Sequence, residues 1–471
     1  MVKEAFMKKS TRILFSVSTF LFLLFSSSAF ALNVTDKLTI SGFIKNETAV
    51  RLEEWDKFMK IENMAQLEVE YRLTPQIYIF GILREWYDSA YDAEEDWEHN
   101  RKILGRTKGT DWLREFYIDY YSNKLDIRIG KQQVVWGTAD GVKLLDVVCP
   151  MDMREFVLDE FAESRIPLWM LKVEYSPKVD GTIQFLLIPD FEANFIPPAG
   201  SPFTFTATAN GEESMQGLRD LHKMFPLQYP GFKTVNHEPG QSLENSKIGV
   251  RWLDIYRGFE YSLNYLHGWD LSSAVKVKFK KTSPFIGIPI LFEKVYGQTE
   301  MFGGSFSKAL TSGPLRGLTV RGELAYIHNH MNNYGSGKVA KVDNVNYVIG
   351  LDKYVWTNWF FSFQFIQLIS SIDSKHGEDL LFGPTGVPLD KVENMMSLKI
   401  STDFFHERLK ADVLTMYGDD NDWRTSPRLE FELTDQVTLA TGLNVFWGRK
   451  GGLNGEFQEN DEAFFEFKYG F

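Results

Sequence analysis

The last eleven residues, Asp461 to Phe471, read D-E-A-F-F-E-F-K-Y-G-F and permit few structures. Side chains on a strand alternate with period two, so Phe471, Tyr469, Phe467, Phe465 and Ala463 share one face while Gly470, Lys468, Glu466 and Phe464 share the other. A buried edge strand of a soluble sheet also alternates, but it rarely ends on a Phe whose carboxylate must stay near water beside four other apolar side chains. A strand whose outer face meets lipid, with an aromatic girdle at the interface, accounts for both features.

The same rhythm recurs along the chain. About ten alternating residues lead into a short turn, then ten more, then a long polar loop. Strands are expected near 39–50, 63–73, 76–87, 168–175, 182–188, 247–253, 259–268, 295–309, 318–328, 342–353, 359–370, 395–404, 409–417, 423–433, 437–447 and 461–471, with a further pair in the hairpin 112–137. That makes about 18, an even number that leaves both ends of the barrel on one side of the membrane. Val275 to Lys280 also alternates and is read as an outside hairpin, since counting it would demand a partner strand. The expected fold is therefore all-β: a transmembrane antiparallel β-barrel of about 18 strands with long extracellular loops and short periplasmic turns. Barrels of this size enclose an aqueous lumen.

Composition agrees. No stretch after the first 31 residues approaches 18 uninterrupted apolar residues, so no membrane helix is expected. Aromatic residues nevertheless make up 15% of the chain, and the mean hydropathy of −0.23 suits a barrel, in which only alternate residues need be apolar. Residues 1–31 read as a secretory signal peptide, with Lys8, Lys9 and Arg12 before the apolar run Ile13 to Phe25 and Ala29-Phe30-Ala31 at the cleavage site. Its removal leaves 32–471 as the barrel and takes the net charge from −12 to −15, because four basic residues and one acidic residue are lost. Such an acidic chain has no electrostatic footprint for nucleic acid. The single Cys149 excludes an intrachain disulfide.

The hairpin 112–137 is the most informative stretch. If Asn123-Lys124 is a two-residue turn, Asp119 faces Arg128, Glu115 faces Gln132 and Tyr117 covers Gly130, while Ile118 meets Ile129 and Tyr120 meets Ile127 on the other face. A polar ladder then lies inside and an apolar one outside. A slip of one residue would turn every charge toward lipid, at roughly 2 to 4 kcal/mol for a basic residue at the midplane.

The run L-R-E-F-Y-I-D-Y-Y-S-N-K-L-D-I-R-I-G-K-Q-Q-V-V-W-G, continuing to D-V-V-C-P-M-D-M-R-E-F, resembles an uncharacterised proteobacterial family of outer-membrane β-barrels. That family is a domain of unknown function in the company of alginate-export and phosphate-selective porins. The motifs span Leu113 to Phe156, and the layout of the whole chain is similar. The resemblance implies an outer-membrane location in a Gram-negative bacterium and a barrel architecture. Asn is common in the family where this chain has Cys149, which argues against a functional thiol. The terminal strand likewise resembles the C-terminal recognition strand of outer-membrane barrels. That resemblance implies that Phe465, Phe467, Tyr469 and Phe471 act as an assembly signal read by the barrel-assembly machinery.

Inward positions of mixed sign are the candidate pore lining: Glu115, Asp119, Arg128, Gln132, Lys172, Glu174, Arg321, Glu323, Lys399, Arg428, Glu430, Glu466 and Lys468. No Arg or Lys ladder dominates them, so strong anion selectivity is not indicated. An acidic, helical-looking stretch is read over Met153 to Phe161, and a short helix over Met215 to Met224 within the longest loop, Pro189 to Ser246. Trp136, Trp169, Trp252, Trp356, Trp359 and Trp447 near strand ends read as interfacial girdle residues. His328 and His330 share a strand face, but two ligands do not make a metal site, and no serine motif accompanies any histidine as a barrel hydrolase would require.

No cofactor or metal is expected. The leading reading is a non-enzymatic, porin-like channel for passive passage of small solutes, constricted by the loops Thr138 to Arg165 and Pro189 to Ser246. The alternative is a plugged barrel serving as the outer-membrane component of an export or lipid/hydrophobic-compound transport complex. The partners implied are outer-membrane lipid, the assembly machinery, an unidentified small solute, and either a homo-oligomer or a periplasmic protein. Deleting Phe471 is expected to lower the outer-membrane level of the protein while leaving the conductance of each inserted barrel unchanged. Immunoblots of membrane fractions and single-channel recordings check the two arms.

Overall fold

The computed structural model describes residues 32–205, 223–224, 232–279, 290–334, 338–372, 380–382, 387–449 and 452–471. The expected signal peptide 1–31, and the short helix expected over 215–224 apart from its last two residues, lie outside them.

Eighteen strands pair in chain order, each antiparallel to the next. They are β1 (Leu38–Arg51), β2 (Phe58–Arg72), β3 (Ile77–Asp88), β4 (Leu113–Tyr121), β5 (Leu125–Gln132), β6 (Leu168–Lys178), β7 (Gly181–Ile188), β8 (Lys247–Tyr256), β9 (Phe259–Trp269), β10 (Gln298–Ala309), β11 (Leu318–Tyr334), β12 (Val339–Val355), β13 (Trp359–Ser370), β14 (Val392–Phe404), β15 (Leu409–Gly418), β16 (Asp422–Glu432), β17 (Val437–Trp447) and β18 (Glu462–Gly470). β18 returns to β1 with partners running from Arg51↔Glu462 to Phe43↔Gly470, which closes the barrel. Phe471 N–H donates to the Gly42 carbonyl and Gly42 N–H to the Phe471 carbonyl, both at 2.9 Å. A side chain on Gly42 would stand 2.9 Å from the Phe471 ring and 2.2 Å from the Gln66 carbonyl oxygen. Glycine there lets the terminal ring lie flat on the wall.

Connections at one end are short, from the two residues 179–180 to the eight of 310–317, whereas 89–112, 133–167, 189–246 and 270–297 emerge from the other. Ala274–Phe279 pairs antiparallel with Ile290–Val295, which runs parallel to Phe232–His237. The alternating run at Val275 therefore belongs to a small sheet outside the barrel.

In the β4–β5 hairpin Tyr117↔Gly130, Ile118↔Ile129, Asp119↔Arg128 and Tyr120↔Ile127 are partners, as the two-residue turn requires. Phe116, Ile118, Tyr120 and Ile129 are exposed on the outer face. Arg128 donates Nε to Asp119 Oδ1 at 2.6 Å and Nη2 to Oδ2 at 2.9 Å, and its guanidinium lies 3.7 Å from the centre of the Tyr117 ring. One expected pair differs. Glu115 Oε1 accepts from Gln133 Nε2 at 2.9 Å rather than facing Gln132, because β5 ends at Gln132 and the chain leaves the wall there.

Three further expectations are overturned. Residues 133–149 fold back against the inner wall, and Trp136 is fully buried with Val148, Leu186, Leu266 and Met301 instead of sitting in the interfacial girdle. Its Nε1 donates to Gln184 Oε1 at 2.7 Å, the partner that a buried indole N–H needs. The stretch Met153 to Phe161 is not a helix; a single turn, Phe161–Ser164, follows it, because its side chains are drawn individually to groups on the wall. Between His328 and His330, Asn329 takes a positive φ of 62° and the β11–β12 register shifts. The two rings consequently part, His328 Nδ1 to Asp343 Oδ1 at 2.8 Å and His330 Nδ1 to Asp270 Oδ2 at 2.7 Å.

Replacing Asp119 by Ala strands a desolvated guanidinium and is expected to cost about 3 kcal/mol of barrel stability. Much of that loss should be restored in the Asp119→Ala, Arg128→Met double variant, measured by denaturant unfolding in detergent with heat-modifiable electrophoretic mobility as the readout.

Candidate pore

The segment between β5 and β6 is anchored on opposite sides of the lumen. Near its start, Thr138 donates its backbone N–H to Glu323 Oε1 on β11, and its Oγ1 donates to the same oxygen at 2.9 Å. Asp140 pairs with Arg321, and its backbone N–H donates to Gln364 Oε1 on β13 at 3.2 Å. Farther on, Glu155 meets Lys60 Nζ of β2 at 2.7 Å, Glu163 meets Lys45 Nζ of β1 at 3.1 Å, and Arg424 of β16 donates to the Val157 carbonyl at 3.0 Å. Arg114 of β4 donates to the carbonyls of Ala162, Glu163 and Arg165. A chain tied to β11 and β13 at one point and to β1, β2, β4 and β16 at others crosses the barrel interior.

The crossing divides the interior into two cavities. The outer one, about 520 Å³, is lined by eight basic side chains, Arg84, Arg114 and Arg154 among them, and eight carboxylates, among them Asp111, Asp152 and Glu192. The inner one, about 960 Å³, reaches the short-turn end at Asn358, Asp435 and Gln436. Its lining holds thirteen carboxylates against six basic side chains. Glu155, Asp159 and Glu163 line both cavities. They stand between the two, near Lys45, Lys60 and Glu47. Lys60 Nζ also lies 3.1 Å from Glu47 and 3.9 Å from Asp159, and Arg84 lies 3.9 Å from Glu163.

Crowded carboxylates out of bulk water do not titrate alike. Burial pushes Asp159 up to about 6, with Glu47 and Glu163 adding to the rise and Lys60 opposing it. Burial raises Glu155 well above the usual carboxylate range, reinforced by Asp159. Burial would raise Glu163 too, but Lys45 and Arg84 outweigh it and hold the group down at about 2.

The sequence-derived lining residues fall into distinct places. Lys399, Arg428, Glu430, Glu466 and Lys468 line the inner cavity. Lys172 Nζ pairs with Glu174 at 2.8 Å on β6, and Glu174 also accepts from Gln184 at 2.8 Å. Arg321 and Glu323 are occupied by the crossing segment. Gln132 is fully buried, its Nε2 donating to the carbonyls of Gly130 and Met170, so it lines neither cavity. Phe465 is exposed on the outer face, in the row shared by Phe467 and Tyr469. Cys149 is buried, its sulfur accepting from the Val134 N–H at 3.5 Å.

The residues at the junction, Lys45, Glu47, Lys60, Glu155, Asp159 and Glu163, were not among the candidates. Lys45 and Glu47 share a period-two row with buried Phe43, and that row is the signal that marks them as inward. Among the described residues no cluster of three or more His, Cys, Asp and Glu is placed to hold a metal ion.

The two shifts carry opposite pH signs. Asp159 has a raised pKa, so its charged form weighs against the fold at pH 8 and is relieved as pH falls through about 6. Glu163 has a depressed one, so its contribution is present above about 4.5 and is lost as pH falls toward 2. Asp159→Asn is therefore expected to raise the thermal midpoint of the barrel at pH 8 and to leave it unchanged at pH 4, checked by heat-modifiable mobility across that range.

No curated protein matches the sequence. Among solved structures, OccAB2 of Acinetobacter baumannii aligns over 93% of this chain and 98% of its own at 10% identity, with a TM-score of 0.51. OpdK of Pseudomonas aeruginosa, crystallised with vanillate, aligns over 93% and 98% at 9% identity and TM-score 0.48. OmpF of Salmonella typhi, in complex with daunomycin, aligns over 93% and 99% at 10% identity and TM-score 0.45. The likeness is one of fold. The closed 18-strand wall with its apolar exterior, in the fold of OccAB2, places the chain in the outer membrane of a Gram-negative bacterium. The model of the protein family of unknown function DUF1302 matches residues 54–471, and the chain belongs to that family of outer-membrane β-barrels.

Proposed function

We propose that the barrel is a passive, non-enzymatic channel for small solutes, in which the segment 133–167 and the loop 189–246 narrow the passage. The observation that carries this reading is that two interior cavities share Glu155, Asp159 and Glu163 as the lining between them. Solute crossing from one cavity to the other passes three loop carboxylates set against Lys45 and Lys60. Side-chain charge of one sign in excess is how pores select ions, and the inner cavity's excess of carboxylates favours cations. The fold is shared with OccAB2.

A second reading, a plugged barrel in an export or hydrophobic-compound transport complex, is favoured by one feature of the outer end. Phe156 of the crossing segment, Phe203 and Phe205 of the next loop and Phe457 before β18 converge with Phe446 into an aromatic cluster, with ring centres 4.8 to 6.2 Å apart. In either reading, cleavage after Ala31 and recognition of the Phe465, Phe467, Tyr469 and Phe471 row by the assembly machinery precede function. A periplasmic protein belongs to the second reading, and a homo-oligomer suits the first.

Purified protein in planar bilayers is expected to give discrete, cation-preferring conductance. Replacing Asp159 and Glu163 together by Asn and Gln should move the reversal potential in a salt gradient at pH 8 toward zero. Silent bilayers with a folded, heat-modifiable barrel, followed by conductance once the outer aromatic cluster is cut back to Ala, would instead establish the plugged reading.

A further inference from the structure

We propose that the wall carries a lateral portal at Pro427, by which a neutral apolar small molecule passes between the inner cavity and the lipid. Pro427 lies in the middle of β16 and has no N–H to give to a neighbour. On the β15 side pairing continues through Val413↔Pro427. On the β17 side it stops after Thr425↔Val445 and resumes at Arg428↔Gly442. The register is the same before and after, so no residue has been inserted; among the described strand pairs the other interruptions are register shifts. The feature is a gap in the ladder rather than a bulge. A side chain on Gly442 would stand 2.3 Å from the Pro427 carbonyl oxygen, so this pairing arrangement requires glycine there.

A hollow of about 530 Å³ lies over this seam, a size that takes a small organic molecule. Trp359, Ile400, Val413, Leu429 and Leu443 frame it, and Ala411 leaves it open. Thr402, Ala411, Asp412, Pro427 and Arg428 line both the hollow and the inner cavity. Ala411 lies in the outward row, paired with exposed Leu429, yet it borders the inner cavity as well. The inner rim is charged, with Arg428 held 3.3 Å from Glu430 and 3.6 Å from Glu466, while the outer rim is apolar. A solute leaving through the hollow must therefore be neutral, since a charge carried into lipid is heavily penalised.

The portal rests on the channel reading only in needing an aqueous inner cavity, and the test separates the two. Full-length protein in liposomes is treated with a membrane-impermeant sulfonated maleimide, the buried Cys149 of the parent serving as baseline. Ser426→Cys reports the inner cavity, Ala411→Cys the portal and Ile349→Cys a lipid-facing site away from it. Labelling of the first two and not the third is expected. If Ser426→Cys is labelled and Ala411→Cys is not, the portal is overturned and the channel stands. If Ser426→Cys is not labelled, the aqueous cavity fails and takes the portal with it. A second variant, Ala411→Trp, fills the hollow and is expected to slow entry of N-phenyl-1-naphthylamine into the membrane lipid of intact Gram-negative cells several-fold at equal outer-membrane levels of the protein; undiminished dye entry overturns the proposal.

Discussion

Backbone hydrogen bonding in a solvent that offers no partners is the constraint on which this structure depends. In hydrocarbon each unpaired N–H or C=O costs several kcal/mol, so a sheet must close on itself. The last strand therefore has one partner available, the first. β18 meets β1 along nine residue pairs, and Phe471 completes the seam against Gly42. Closure settles the two faces of every strand at once. Phe465 and Ile118 meet lipid because Glu466 and Asp119 face the interior.

A closed barrel of 18 strands has more interior than its own side chains fill. Here the space is taken by chain from the loops. The segment 133–167 covers apolar inner-wall residues such as Leu186 and Met301, and it brings Glu155, Asp159 and Glu163 to the cations of β1 and β2. Burial opposes each of these charges, and the opposite charges at 2.7 to 3.1 Å offset that cost only in part. The raised Asp159 and the depressed Glu163, four residues apart, record the two outcomes of that balance. The same segment keeps two cavities of different charge apart, balanced in sign outside and with an excess of carboxylates inside.

The wall is not uniform. Where Pro427 interrupts the β16–β17 ladder, Gly442, Ala411 and Thr402 contribute little bulk.

Much of the fold was legible in the residues because it is written at short range. Period-two alternation sets which side of a strand faces lipid, and the turn Asn123-Lys124 sets which residues are opposite, so 18 strands and the Asp119–Arg128 pair followed from local rules. Lys399, Arg428, Glu430, Glu466 and Lys468 were readable as inward for the same reason. The fate of segments that leave the wall was not readable. Trp136 looked like a girdle residue and is buried in the lumen; Gln132 looked like pore lining and is sealed in the wall; Met153 to Phe161 looked helical and is stretched between wall charges. Alternation ends at Gln132, and beyond it no local pattern tells a loop whether to stand outside or fold inward. That choice depends on apolar and charged partners from strands tens to hundreds of residues away, such as Leu186, Glu323, Lys60 and Arg424, which come together only when the barrel closes.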